Sequence, residues 1–258
     1  MAATSERSSV RFETWIIISV LVIITALSWL YLFDMAAEMS AGGMKMPMEI
    51  PVWTPRYFLL MFVMWSVMMA GMMTPIVSPT VLIYAAVARK AARQNSPVAP
   101  TLIFVFGYLF IWTVFSLGAT IAQFALDQAA LLSPMMVSTS SWLGASLLIA
   151  AGVYQFLPIK KKCLSRCRSP VDFIARNWQK GHFGAFGMGI KHGVFCLGCC
   201  WVLMLLLFVG GVMNLLWIAL IAAFVLVEKL LPGGDTGGRI VGVLMIVSGI
   251  IFVLYAGT

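Results

Sequence analysis

Lys191-His192-Gly193-Val194-Phe195-Cys196-Leu197-Gly198-Cys199-Cys200-Trp201 lies inside an apolar run from about residue 186 to residue 209. Lys191 is the only charged residue of that run, which is long enough to cross a bilayer as a helix. At 100° per residue, Cys196, Cys199 and Cys200 fall about 40°, 340° and 80° around the axis from His192. All four side chains therefore share an arc of roughly 100°. Three thiols and an imidazole on one face of a membrane helix make a surface suited to a thiophilic metal.

The rest of the chain gives this helix its setting. Of 258 residues, 62% are hydrophobic and only 10% are charged, and mean hydropathy is +1.00. A soluble domain carries about 25% charged residues. The composition excludes that class and predicts one all-α, polytopic integral membrane domain over 1–258. Seven spans are expected, near 12–33, 56–74, 101–126, 142–157, 186–209, 212–228 and 239–256. The first follows a short polar N-terminus and reads as a retained span. The second carries Pro75 and Pro79 and is expected to bend or break there before ending near Ala88. Gly210-Gly211 predicts a tight hairpin between the fifth and sixth, with Asn214 capping the sixth. Gly233–Gly238 reads as a flexible turn, and Glu228-Lys229 as an interfacial pair that snorkels or bonds at the surface.

Cations alternate with the spans. Arg7 and Arg11 precede the first. Arg89, Lys90 and Arg93 follow the second; Lys160, Lys161, Lys162, Arg166, Arg168, Arg176 and Lys180 follow the fourth; Lys229 and Arg239 follow the sixth. The intervening loops hold only Lys45 and Arg56 as cations. The positive-inside rule then predicts a cytoplasmic N-terminus and an external C-terminus, the orientation of a protein in the bacterial cytoplasmic (inner) membrane. The +8 net charge resides in these loops, so lipid is the expected partner and nucleic acid is not. No P-loop, dinucleotide-binding glycine pattern or Ser-His-Asp set is visible, and an enzyme is not the favoured reading.

All five cysteines fall on or near the cytoplasmic side of this topology, where thiols stay reduced. Cys163 and Cys167, separated by three residues within a basic loop, have a spacing that permits a shared metal. Methionine is the second anomaly. Of 18 methionines, Met61, Met64, Met68 and Met72 form a stripe about 80° wide on the second span. Met35, Met39, Met44, Met46 and Met48 crowd the segment before it. Thioethers are soft, neutral ligands that suit Cu(I). The candidate metal residues are thus His192, Cys196, Cys199, Cys200, Cys163, Cys167, Met64, Met68 and Met72, with copper(I) the favoured ion and zinc second. Weak thioethers at one end and thiolates at the other would pass an ion along without trapping it. The competing reading is packing: methionine fills irregular gaps, cysteine behaves as a small hydrophobe, and Gly189, Gly193 and Gly198 let helices approach closely.

The stripe is locally similar to Ctr-type copper importers, which use MxxxM on a membrane helix. A longer resemblance rests on Met68-Met69-Ala70-Gly71-Met72-Met73-x-Pro75, Ser78-Pro79, Tyr154-Gln155-x2-Pro158-x-Lys160 and Cys163-x3-Cys167-Arg168-Ser169-Pro170. It continues through Lys191-His192-Gly193-x2-Cys196-x-Gly198-Cys199-Cys200-Trp201, Gly210-Gly211-Val212-Met213-Asn214 and Glu228-Lys229. In these blocks the chain resembles a bacterial family of predicted metal-binding integral membrane proteins, which implies metal binding in a membrane. Three functions remain in play: a soft-metal transporter or membrane metallochaperone, an accessory subunit of a larger membrane complex, and a thiol redox enzyme. The partners expected are other membrane subunits or a metallochaperone.

Overall fold

A computed structural model of the chain describes residues 2–40, 53–92, 98–133, 136–231 and 234–256. The described residues form helices α1 (Ala2–Ser40), α2 (Pro55–Ala92), α3 (Val98–Gln128), α4 (Ser141–Tyr154), α5 (Pro158–Arg168), α6 (Pro170–Asn177), α7 (Gly181–Leu205), α8 (Leu207–Gly210), α9 (Leu215–Leu230) and α10 (Gly234–Ala256). They contain no β-strand, only one isolated bridge between Leu132 and Ser138.

Five helical segments are long and apolar enough to cross a membrane: Arg11–Glu38, Pro55–Ala91, Pro100–Gln128, Gly181–Gly210 and Gly234–Leu254. α4 and α5, joined through a 65° bend, would make a sixth. The expected sixth span corresponds to α9, which has 16 residues. Met44, Met46 and Met48 of the Met-rich segment, with Lys45 and Arg93, lie outside the described residues.

The basic stretch after α4, expected as a loop, is instead helical. Pro158 and Pro170 stand in the first turns of α5 and α6, where proline favours helix initiation. Leu164, Phe173 and Ile174 are buried beneath the bundle. The glycines from Gly234 to Gly238, expected as a turn, belong to the start of α10. Gly238 has no room for a side chain, because a Cβ there would lie 2.5 Å from Oε1 of Glu228.

α2 runs through Pro75 and Pro79 without interruption. A proline removes the N–H that would serve the carbonyl four residues earlier. For Pro79 that carbonyl belongs to Pro75, and the Ser78 hydroxyl donates to it at 2.8 Å. Thr74 likewise donates to the Ala70 carbonyl at 2.7 Å. The Ser78 hydroxyl thus serves an acceptor that proline leaves bare where lipid offers no donor, while the Thr74 hydroxyl shares a carbonyl that its own helical N–H serves.

Glycine sets the crossing of α3 and α7. A Cβ on Gly189 would collide with the Phe104 carbonyl, one on Gly107 with the Phe186 carbonyl, and one on Gly193 would press on Ile111. The close-packing role read for Gly189 and Gly193 is therefore present, alongside the cysteines rather than in place of them. Gly152 makes the same kind of approach between α4 and α10.

Charged groups fasten α5 beneath the bundle. Lys160, 2% exposed, pairs with Glu228 of α9 at 2.7 Å and also donates to Gln155. Arg168 donates to the Glu228 carbonyl and, at 3.1 Å, to the Leu231 carbonyl, then reaches Asp235 of α10 at 2.9 Å. The carbonyls it covers are among those a helix C-terminus leaves unsatisfied.

Candidate metal centre

Helix α7 carries His192, Cys196, Cys199 and Cys200 on its inward face, and all four are buried. Cys196 is the hub. Its sulfur lies 3.0 Å from the Tyr108 hydroxyl of α3 and accepts a 2.8 Å hydrogen bond from the Lys229 ammonium of α9. Its carbonyl accepts the thiols of Cys199 at 3.0 Å and Cys200 at 3.1 Å.

Helix α5 adds thiols from below. Cys167 lines the same cavity as Cys196 and His192. Cys163, one turn earlier and partly exposed, packs its sulfur against Gly198; a Cβ at Gly198 would stand 2.8 Å from it. The Tyr154 hydroxyl donates to the Gly198 carbonyl and fastens α4 to the same turn of α7.

His192 is 3% exposed, enclosed by the rings of Phe104, Tyr108 and Phe173, with the last centroid 5.0 Å away. Its Nδ1 is buried without a hydrogen-bond partner among the described residues. Beside it opens a cavity of about 120 Å³, whose walls include Tyr108, Cys167, His192, Cys196 and Lys229. Such a space, lined by sulfur, an imidazole and an ammonium, is large enough for an ion. As the side chains stand, no group of three His, Cys, Asp or Glu among the described residues could hold a metal ion. Cys199 and Cys200 spend their S–H groups on the Cys196 carbonyl.

Met64, Met68 and Met72 are each at most 1% exposed and form part of the core with Met61, Met69 and Met73. The stripe faces the bundle interior. One turn beyond Met72, Ile76 and Val77 line the cavity, so the row of sulfurs leads toward the thiols.

Sequence reasoning missed Lys229, Tyr108 and Lys160. Glu228 and Lys229 were expected at the interface, but both are buried, 2% and 7% exposed. Each turns inward to a partner distant in sequence. The available signals were a lone tyrosine in the apolar run of α3 and two adjacent charges ending an apolar span.

No curated protein and no solved structure matches the chain. Residues 62–252 match the model of the PpoB2 family, described as a copper chaperone. That interval holds Met64, Met68 and Met72, all five cysteines and His192. With most of its length matched, the chain belongs to the PpoB2 copper chaperone family.

Proposed function

We propose that the protein is a membrane-embedded Cu(I) metallochaperone of the bacterial cytoplasmic membrane. In this reading copper is its cargo, held at Cys167, Cys196 and Cys199 with His192 and Cys200 beside them. The observation that carries the reading is one cavity walled by Cys167, Cys196 and a buried His192 whose Nδ1 has no hydrogen-bond partner among the described residues. Two or three thiolates with a neutral nitrogen donor suit Cu(I). Zn(II) fits less well, because it favours four closed positions.

Loading turns Cys199 and Cys200 away from the Cys196 carbonyl and toward the ion. The Lys229 ammonium stays beside Cys196 and offsets the negative charge of thiolate ligation. Cys163, partly exposed next to the buried set, is the thiol through which a partner exchanges copper. Met64, Met68 and Met72 are the weak relay, and the N-terminus and α5–α6 face the cytoplasm, as the cation distribution requires.

The test is elemental analysis of detergent-purified protein under reducing, chelator-free conditions. Wild type is expected to carry or take up copper, and Cys196→Ser and Cys199→Ser to lose most of it. A wild-type protein that neither carries nor takes up copper would overturn the reading and favour an accessory subunit whose cysteines serve packing.

A further inference from the structure

A second convergence of sulfur lies far from the thiols. Gln123 of α3 is fully buried. Its Oε1 accepts a 2.8 Å hydrogen bond from Trp65 Nε1, which fixes the amide because an indole N–H only donates. The NH2 end must therefore face the other way. There it meets Met61 Sδ at 3.5 Å and Met136 Sδ at 3.4 Å.

Both methionines are buried, 4% and 3% exposed. They come from different elements, Met61 from α2 and Met136 from the connection between α3 and α4. Met136 holds a left-handed backbone, φ 55°, uncommon for a residue other than glycine. Its N–H donates to the Ser133 carbonyl at 2.8 Å, and nearby Ser138 N–H donates to the Phe208 carbonyl at 2.9 Å. The connection is thus tied down with one thioether aimed inward. A buried amide N–H ordinarily finds an oxygen acceptor; here both contacts are sulfur, a weak acceptor. Both sulfurs thus converge on the Gln123 amide nitrogen through weak bonds that a soft ion displaces readily.

The surroundings fit a cation. Asp127 lies one turn beyond Gln123 on the same face of α3, and its carboxylate accepts from Trp53 Nε1 at 3.2 Å. Met64 stands one turn further along α2 from Met61, at the head of the buried stripe. Met61 is 15 residues from Ile76 on α2 and Gln123 is 15 from Tyr108 on α3. Both separations put this place about 22 Å along the helix axes from the thiol cavity.

We infer that Met61 and Met136 form a second binding site, a thioether site for a soft monovalent cation of the Cu(I) or Ag(I) type, at the end of the bundle remote from the thiols. The site rests on the copper reading above for its role as the entry to the methionine row, while its ability to bind is separate from the thiols.

The experiment uses the full chain with all five cysteines replaced by serine, titrated anaerobically with Ag(I) in detergent. Helix content and elution volume serve as fold controls. The tightest equivalent of Ag(I) is expected to bind with sulfur-only ligation in the X-ray absorption spectrum. Met61→Leu or Met136→Leu, each conserving volume, is expected to weaken that binding at least tenfold. The double change Met61→Leu/Met136→Leu in wild type removes one equivalent and leaves thiol-bound copper in place, a readout that holds even if the cysteine-free chain misfolds. A folded cysteine-free chain that binds no Ag(I), or a wild-type stoichiometry unmoved by the double substitution, would overturn the site. Failure of the thiol-dependent copper loading alone would instead overturn the proposed function.

Discussion

At the scale of single residues, the centre is governed by what surrounds Cys196. A buried ammonium 2.8 Å from a sulfur is a charge-assisted contact. Hydrogen bonds to charged groups contribute about 1.5–3 kcal/mol, so Lys229→Met is expected to lower copper retention roughly tenfold or more against a competing Cu(I) chelator. An unchanged affinity would show that the lysine only packs. The Lys160–Glu228 pair obeys a different rule. Glu228→Ala leaves a buried ammonium alone and is expected to destabilise by about 3–5 kcal/mol, whereas the paired Lys160→Met/Glu228→Leu change recovers most of that loss. Thermal unfolding in detergent distinguishes the two. The side-by-side placement of His192, Cys196, Cys199 and Cys200 was legible, because a single helix converts spacing directly into angle. Lys229 and Tyr108 were not. No periodicity relates residue 196 to residues 108 or 229, and the usual rule for charges near a span end, outward toward water, is overridden here by buried partners.

Elements come next, and α2 combines the two anomalies of the sequence, proline and methionine. Ser78→Ala deprives the Pro75 carbonyl of its donor where Pro79 supplies none. An unsatisfied buried carbonyl costs about 1–3 kcal/mol, and the matching fall in thermal stability is the expected result. The triple change Met64→Leu, Met68→Leu and Met72→Leu conserves volume and is expected to fold. If the row carries copper, that variant accumulates less of it at the thiols; equal accumulation would leave only packing. Gly189→Leu is expected to drive α3 and α7 apart and abolish stable expression, since the Phe104 carbonyl occupies the space a side chain needs. The apolar helices were legible from hydropathy, and the cap at Asn214 from its residue type; its side chain accepts from Trp217 N–H at 3.2 Å. α5 and α6 were not legible. Their lysines and arginines suggested a solvated loop, and only the burial of Lys160, Leu164, Phe173 and Ile174 shows that one side of each helix is structural.

For the whole molecule, the arrangement proposed places the two sulfur sites at opposite ends of one bundle. Reporter fusions are expected to put the α5–α6 segment in the cytoplasm and the α3–α4 connection outside; the reverse would overturn the orientation. Helix lengths carry a separate consequence. α4 has 14 residues and α9 has 16, giving about 21 and 24 Å at 1.5 Å per residue. The hydrocarbon layer of a typical bilayer is about 30 Å thick. If α4 and α9 each cross alone, the acyl chains beside them must shorten or tilt, and the bilayer is pinched like an elastic sheet under a clamp, at fractions of a kcal/mol per ångström. The aqueous phases would then draw closest together beside these helices, and a cation passing there would cross a thinner insulating layer than elsewhere in the membrane. Reconstitution into vesicles of graded acyl length would read this directly, with the greatest stability expected in the thinner bilayers.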